Sequence, residues 1–341
     1  MAYKVALVGA TGAVGSEFIH TLEERKFPVG EIHFFASERS AGRKLHFNGK
    51  EVTVKELTPD CFKGIEIAFF ATESPISKQW APVAAKAGAA VCDDSSAFRM
   101  EPTVPLVVAE VNPEDIKWHK GIISNPNCST IGLLVAINPL HKVNPIKRII
   151  VSTYQAVSGW GQAANEELDA QVKQYAKGEK LSYKIFPHQI AFNVLPEIDS
   201  PTENGYTKEE WKMAEETHKI LHDPSIRFTA TCARVPVFVG HSEAATIEFT
   251  RPMSPKEAKD ILSRAPGVVL MDNLPAHIYP DALTAAGRDE TFVGRIRDDT
   301  SNPGGLVMWL VSDNTRKGSA TNTIQIAEEM IKRGWLNGQG R

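Results

Sequence analysis

Lys4-Val-Ala-Leu-Val-Gly9-Ala-Thr-Gly12-Ala-Val-Gly15 stands at the head of the chain and decides its fold. Lys4–Ala10 is a short apolar run rich in β-formers, suited to a parallel strand buried on both faces. Gly9, Gly12 and Gly15 punctuate a turn, and Val14–Lys26 then sets Val14, Phe18, Ile19 and Leu22 at helical spacing. Strand, glycine turn and helix in that order form the context of a dinucleotide site. The spacing is G-x-x-G-x-x-G, a variant of G-x-G-x-x-G, with the same physics. Small residues let the backbone approach a pyrophosphate, and the helix N-terminus offers free N–H groups and a partial positive charge. Such a turn can also be purely structural; its place at the extreme N-terminus favours the cofactor reading. Gly9, Thr11, Gly12, Ala13, Val14 and Gly15 are the candidate contacts.

Working outward, Glu31–Ser37 reads as the next strand and runs into Ser37-Glu38-Arg39-Ser40-Ala41-Gly42. An NAD site usually carries an acid here for the ribose 2′-OH. Glu38 competes for that place with Arg39, flanked by Ser37 and Ser40; an arginine between two hydroxyls suits a 2′-phosphate. The reading favours NADP, and Glu38 leaves NAD open. Further strands are expected over Ile65–Ala71, Ala89–Asp93, Leu106–Val111 and Gly121–Ser124, with a helix over Gln79–Ala87. Alternation of this kind builds a mostly parallel, doubly wound sheet of Rossmann type. Its ligands lie beyond the carboxyl ends of the strands. Thr72-Glu73-Ser74 and Asp93–Arg99 occupy such ends, so Thr72 is a candidate cofactor contact. Arg99 fits either an anion site or a plain surface position.

At 341 residues the chain exceeds one ordinary domain of about 100–200 residues, and two are expected. Thirty-eight basic residues against 41 acidic give a net charge of −3, which argues against nucleic acid as an obligate partner. No apolar run reaches the roughly 18 residues of a membrane span, and the first residues lack a signal peptide's cleavage region. A cytoplasmic protein is expected. Cys61, Cys92, Cys128 and Cys232 lie far apart without a C-x-x-C pair, so neither a disulfide framework nor a metal site is expected.

Ser124-Asn-Pro-Asn-Cys128-Ser-Thr-Ile follows a strand and opens the apolar helical segment Ile131–Leu140. A cysteine at a helix N-terminus has its thiolate stabilised by unpaired N–H groups and the dipole. The same groups can hold a developing oxyanion. Cys128 is thus either a nucleophile or a small capping-region residue; the other three cysteines sit in apolar or strand-like settings and read as packing.

Here a resemblance becomes specific. Gly9–Gly15, Ser37–Gly42, Ser95–Arg99, Ser124–Thr130, Tyr154–Gly159, Glu215–Leu221, Cys232–Glu243 and Asp313–Glu328 resemble the aspartate-β-semialdehyde dehydrogenase family in its shorter bacterial branch. The resemblance runs from Lys4 to about Lys332. It implies NADPH-dependent reduction of aspartyl phosphate to aspartate semialdehyde and phosphate, reversibly, in the biosynthesis of lysine, methionine, threonine and isoleucine. Cys128 would carry the acyl group as a thioester. His241 would be the acid–base residue, and Gln155 would orient the substrate. Among substrate contacts it implies Asn127 beside the nucleophile, Arg234 on the α-carboxylate, Glu216 on the ammonium, and Lys219 with Arg99 on the phosphate. Ser158 and Gly159 would lie near the nicotinamide, and Asn322 would be a late cofactor contact, with Asn314 as the alternative.

Residue spacing weighs on two of these roles. Arg234 and His241 are seven positions apart, which in one regular strand would point them to opposite faces; Pro236 and Gly240 offer breaks. Glu216 and Lys219, at i and i+3 in a helical pattern, share a face and read equally as an ion pair. The expected fold class is α/β. A Rossmann-type NADP-binding domain spans 1–127 plus 320–341, and an α+β catalytic and dimerisation domain spans 128–319. In the second domain Ile146–Tyr154, Ile226–Val237, Ala244–Phe249 and Gly305–Val311 read as strands. Ala163–Lys177, Lys208–Leu221 and Pro255–Ala265 read as helices, and Asp199–Gly205 and Leu274–Asp299 lack periodicity. The family likeness implies a homodimer, with a tetramer left open. Two rivals remain: N-acetyl-glutamyl-phosphate reductase chemistry, which would need no acid for a free ammonium, and a silent Rossmann binding protein, which would not need Cys128 or His241.

Overall fold

The computed structural model describes residues 2–337. The chain divides into two compact units, Met1–Pro126 with Ser319–Arg341 and Asn127–Gly318. Both crossings lie one residue earlier than read from the sequence, and position 1 and positions 338–341 of the expected ranges fall outside the described residues.

In the first unit, β1 (Tyr3–Val8) leads into α1 (Ala13–Glu24) and returns as β2 (Val29–Ala36). A hairpin of β3 (Lys44–Phe47) and β4 (Lys50–Thr53) precedes β5 (Lys55–Glu56) and β6 (Ile67–Phe70). Then come α2 (Ser74–Lys86), β7 (Ala90–Asp93) and β8 (Ile122–Ser124). The sheet order is β5-β2-β1-β6-β7-β8, and every pairing is parallel. Strand order reverses at β1, so the crevice between the carboxyl ends of β1 and β6 is the place where such sheets take ligands. The sheet is buried on both faces: Val5 and Leu7 face one apolar core with Phe18 and Leu22 of α1, Ala6 and Val8 the other. The last helix belongs to this unit and is numbered in chain order below.

Leu106–Val111, expected as a strand, is not one. Leu106 makes a single bridge to Ser124, and the rest is irregular. Its backbone is satisfied by a bond from Val107 N to Ser124 O, by turn bonds to Val108 O and by side chains, without a continued ladder. Asn112 accepts from Val108 N at 3.0 Å and donates to Leu106 O at 2.9 Å, while Asn322 accepts from Ala109 N and donates to Val107 O.

The second unit begins with α3 (Cys128–Val143) and β9 (Ile146–Gln155), followed by α4 (Gln162–Ala176) and α5 (Lys208–Leu221). Next are β10 (Arg227–Arg234), β11 (His241–Phe249), α6 (Pro255–Leu262), β12 (Val268–Leu270), the single turn α7 (Ala282–Ala285), β13 (Thr291–Asp298) and β14 (Leu306–Ser312). A mixed sheet results, ordered β10-β9-β11-β14-β13-β12. β13 lies in the stretch that showed no periodicity. A register shift between Gly294 and Arg297, with Arg295 at φ 54°, breaks its alternation. On β9 and β11, Val151, Thr153, Gln155, His241, Glu243 and Ala245 are buried, whereas Tyr154 between them is exposed. Polar residues therefore sit on the buried face at the carboxyl end of β9.

The chain closes with α8 (Thr321–Arg333) in the first unit, where Ile324, Ala327 and Met330 join the core of Val5, Leu7 and Phe18. Arg25 holds Glu328 through two hydrogen bonds, at 3.0 and 2.6 Å. Among the described residues no helix is long and apolar enough to cross a membrane.

Candidate active site

Cys128 is the first residue of α3 and is half-buried. Asn127 is the N-cap: its Oδ1 accepts from Ser129 N at 3.0 Å and Thr130 N at 3.3 Å. The backbone at Gly318 packs so closely that a methyl there would lie 2.7 Å from Cys128 Cβ. Burial pushes the Cys61, Cys92 and Cys232 thiols up, which unfits them as nucleophiles at neutral pH.

Around α3 the second unit gathers the other polar groups. Parallel pairing of β9 and β10 sets Gln155 against Arg234. Arg234 is buried and donates from Nη1 to Ala156 O at 2.7 Å. Burial lowers its pKa, while the nearby Glu209 carboxylate and Cys128 sulfur act the other way. Arg234 ends β10 and His241 starts β11, so the two flank β9 from opposite sides. The face problem posed by their spacing disappears because they do not share a strand.

Ala156 N donates to His241 Nδ1 at 3.0 Å. A neutral imidazole held this way carries its proton on Nε2. That nitrogen is buried and has no hydrogen-bond partner among the described residues. Burial, with Arg234 adding to it, holds the His241 pKa well below the ordinary value, so the ring is neutral. Gly159 fits between these groups: a methyl on it would lie 2.8 Å from Arg234 Nη1 and 3.4 Å from His241 Nε2. Ser158 hydrogen-bonds Asn314 at 2.9 Å, and Asn314 also accepts from Gly240 N.

α5 supplies the carboxylates. Thr207 and Glu210 form a capping box that starts the helix. Glu215 is exposed and Glu216 buried, which fixes which acid faces inward. Glu216 Oε2 accepts from Asn127 N at 2.6 Å. The group tied by resemblance to a substrate ammonium thus already holds the cysteine loop with one oxygen. Lys219 is half-buried one turn further on.

In the first unit the glycine turn is built as its sequence requires. Gly9 has φ 85°, and a methyl there would lie 2.2 Å from Ala71 O; one on Gly15 would lie 2.2 Å from Gly9 O. Gly12 caps α1 without a side chain, and no acid lies in the first turn. Gly12 and Ala13 are exposed, while Val14 packs on the core and so offers only its backbone. Thr72 follows β6 beside Gly9. Ser37, Glu38 and Arg39 are exposed just beyond β2, with Ser40 half-buried. Arg99 is half-buried near Asp94, whose carbonyl accepts from Nη2 at 3.0 Å.

Asn322, expected as a late cofactor contact, has its side chain inside the fold. It is fully buried, and both its amide hydrogens are taken, by Val107 O at 2.9 Å and Asn125 Oδ1 at 2.7 Å. With Oδ1 accepting from Ala109 N, its side chain has no donor left for a nucleotide.

Residues 137–317 match the family described as semialdehyde dehydrogenase, dimerisation domain, and residues 4–119 match semialdehyde dehydrogenase, NAD binding domain. The aspartate-semialdehyde dehydrogenase of Aquifex aeolicus is 55% identical over 340 residues, covering 98% of this chain and 100% of that one. The chain belongs to the aspartate-semialdehyde dehydrogenase family. It is an oxidoreductase of amino-acid biosynthesis with a Rossmann-type NAD-binding domain. Two solved relatives in the family match its fold. Aspartate semialdehyde dehydrogenase II from Vibrio cholerae, complexed with ASA, gives a TM-score of 0.95 at 45% identity, covering 97% of this chain and 99% of that one. The Candida albicans enzyme with NADP gives 0.76 at 26% identity, covering 98% and 99%.

Sequence reading gave no role to Glu209 or Glu243 at this site. Glu209 had one legible signal: it lies seven residues before Glu216, on the same helix face.

Proposed function

We propose that the protein interconverts aspartyl phosphate and aspartate semialdehyde with NADP, through a thioester on Cys128. The observation that carries this reading is the gathering, within one unit, of a half-buried cysteine at a capped helix N-terminus, a buried arginine, and a histidine whose unpartnered Nε2 is buried beside that arginine. The glycine turn, with Ser37, Arg39, Ser40 and Thr72, fits a dinucleotide, and Arg39 favours one bearing a 2′-phosphate. When bound, NADPH would supply the hydride, and NADP would accept it in the reverse direction.

The chain's own residues do the rest. Cys128, as the thiolate, attacks the carbonyl carbon of aspartyl phosphate, forms the C–S bond of the thioester and expels phosphate as the C–O bond breaks, dividing one hard substitution into two easier steps. The Nε2–H of His241 faces a developing oxyanion with a donor already in place. With Nδ1 accepting from Ala156 N, His241 carries its proton on Nε2 and serves from there as the acid of the acid–base pair. Arg234 pairs the α-carboxylate, Gln155 and Glu216 take the ammonium, and Arg99 and Lys219 bind the phosphate. Tyr154 and Trp309, in ring contact at 5.4 Å on the outer face of the mixed sheet, mark the surface for homodimerisation. A monomer mass by light scattering at micromolar concentration would oppose that assembly.

The test is NADPH absorbance on mixing protein, aspartate semialdehyde and NADP, with and without phosphate. Phosphate-dependent NADPH formation is expected, because phosphate must release the thioester. No signal with NADP or NAD, followed by turnover of the acetylated five-carbon semialdehyde, would transfer the reading to the acyl-amino rival. Cys128→Ser should abolish turnover and leave NADP affinity nearly unchanged; retained turnover would remove Cys128 from the mechanism. Arg39→Ala should weaken NADP more than NAD, and equal losses would mean Arg39 does not read the 2′-phosphate.

A further inference from the structure

Glu209 is a buried carboxylate on α5 to which neither the motif nor the reaction above gives a task. Its Oε1 meets two amides at once, Asn127 Nδ2 at 2.8 Å and Gln155 Nε2 at 3.2 Å. Its Oε2 faces Lys212 Nζ at 3.4 Å, and Lys212 in turn reaches Asp199 at 2.6 Å. An ionised carboxylate only accepts hydrogen bonds. Any amide held against it must present its NH2 and turn its carbonyl oxygen away.

Both amides have consequences for the chemistry. Asn127, so turned, directs Oδ1 at the first N–H groups of α3 and caps the helix that carries Cys128. Flipped, it would offer NH2 to N–H groups that cannot accept, and the cap would be lost. Gln155 donates a second bond to Thr153 Oγ1 at 3.3 Å, leaving its carbonyl oxygen without a protein partner among the described residues. We propose that Glu209 is a positioning residue of the reaction: one carboxylate oxygen fixes the orientation of both Asn127 and Gln155, capping the nucleophile's helix and presenting the Gln155 carbonyl as the acceptor for the substrate's ammonium. The neighbouring acids do other work. Glu210 closes the capping box and accepts from Cys232 N at 2.9 Å, and Glu216 holds Asn127 N.

This inference rests on the proposed reaction, and its test keeps the two separable. Glu209→Gln can donate as well as accept, so it frees both amides to turn; Glu209→Asp keeps the charge but withdraws it by one methylene. Both variants are expected to lower kcat/KM by about 100-fold, the scale of a misplaced reacting group. KM for the semialdehyde should rise through Gln155. The rate of Cys128 alkylation by iodoacetamide, without substrate, should fall through Asn127, while NADP affinity holds. Alkylation needs no turnover, so it reports on Glu209 even if the assigned substrate is wrong. A folded Glu209→Gln with unchanged alkylation rate and unchanged KM would overturn the proposal. Should neither variant fold, side-chain amide exchange in the unaltered protein decides: NH2 protons of Asn127 and Gln155 should be protected, and exchange as fast as that of an exposed glutamine would overturn it.

Discussion

Gly159 shows how little room the site leaves. It has no side chain because Arg234 Nη1 and the His241 ring occupy the space a methyl would need, at 2.8 and 3.4 Å. Arg234 cannot simply move off, since it is buried and bonded to Ala156 O. Gly159→Ala should therefore push the guanidinium from its place, raising KM for the semialdehyde roughly tenfold or more and lowering kcat, by the sensitivity of bound geometry to small displacements. Steady-state kinetics beside NADP titration check this; unchanged KM would show that the loop yields instead. At this scale Cys128 could be singled out from its place at a helix N-terminus, whereas Gln155, Arg234 and His241 came to notice only through the family resemblance. Glu209 and Glu243 were not legible, since a carboxylate in a helix or strand reads as surface until its burial is known. The burial of Asn322 was equally hidden: the fold takes its side-chain amide, which the matching motif does not reveal.

Elements place these residues through their ends. α3 begins on a cysteine because Asn127 stops the strand-side chain and takes the first free N–H groups, while α5 starts on its own capping box and turns Glu209 and Glu216 toward Asn127. Asn127→Ala removes the cap and leaves Glu209 without one of its two amide donors. The expected cost is about 0.5–2 kcal/mol from the cap, with a slower reaction of Cys128 toward iodoacetamide than in the unaltered protein. Denaturant melts and alkylation kinetics measure the two effects separately; stability lost with no change in thiol reactivity would mean the cap serves the helix alone. The parallel sheet was legible because strands buried on both faces give continuous apolar runs and helices give their own period. Legibility failed where backbone groups bond to side chains, as Asn112 and Asn322 do over Leu106–Val111, and where the bulge at Gly294 to Arg297 interrupts β13.

The whole molecule holds two groups in the second unit against their ordinary ionisation, and they tilt stability in opposite directions. His241 is kept neutral, its pKa well below 6.5 through burial and the Arg234 charge. Below pH 6.5 the unfolded chain binds a proton that the native state resists, so this share of stability is lost as pH falls. Glu243 is fully buried, neither of its oxygens has a hydrogen-bond partner among the described residues, and burial with the Glu209 charge raises its pKa well above 4.5. Its neutral form is favoured in the fold, so its contribution is complete below pH 4.5 and is lost as pH rises through the folded value. Glu243 Oε1 lies 3.7 Å from where a methyl on Gly132 would stand, so α3 packs directly over it and no wider space separates the carboxyl from the nucleophile's helix. Glu243→Gln keeps the shape and removes the charge. Its melting temperature relative to the unaltered protein should therefore rise between pH 5 and pH 8, by at least about 2 °C on the scale of one kcal/mol in a domain of this size. A difference that stays flat across that range would mean the native state ionises Glu243 as readily as the unfolded chain does, and that the fold tolerates a charge beneath its active-site helix.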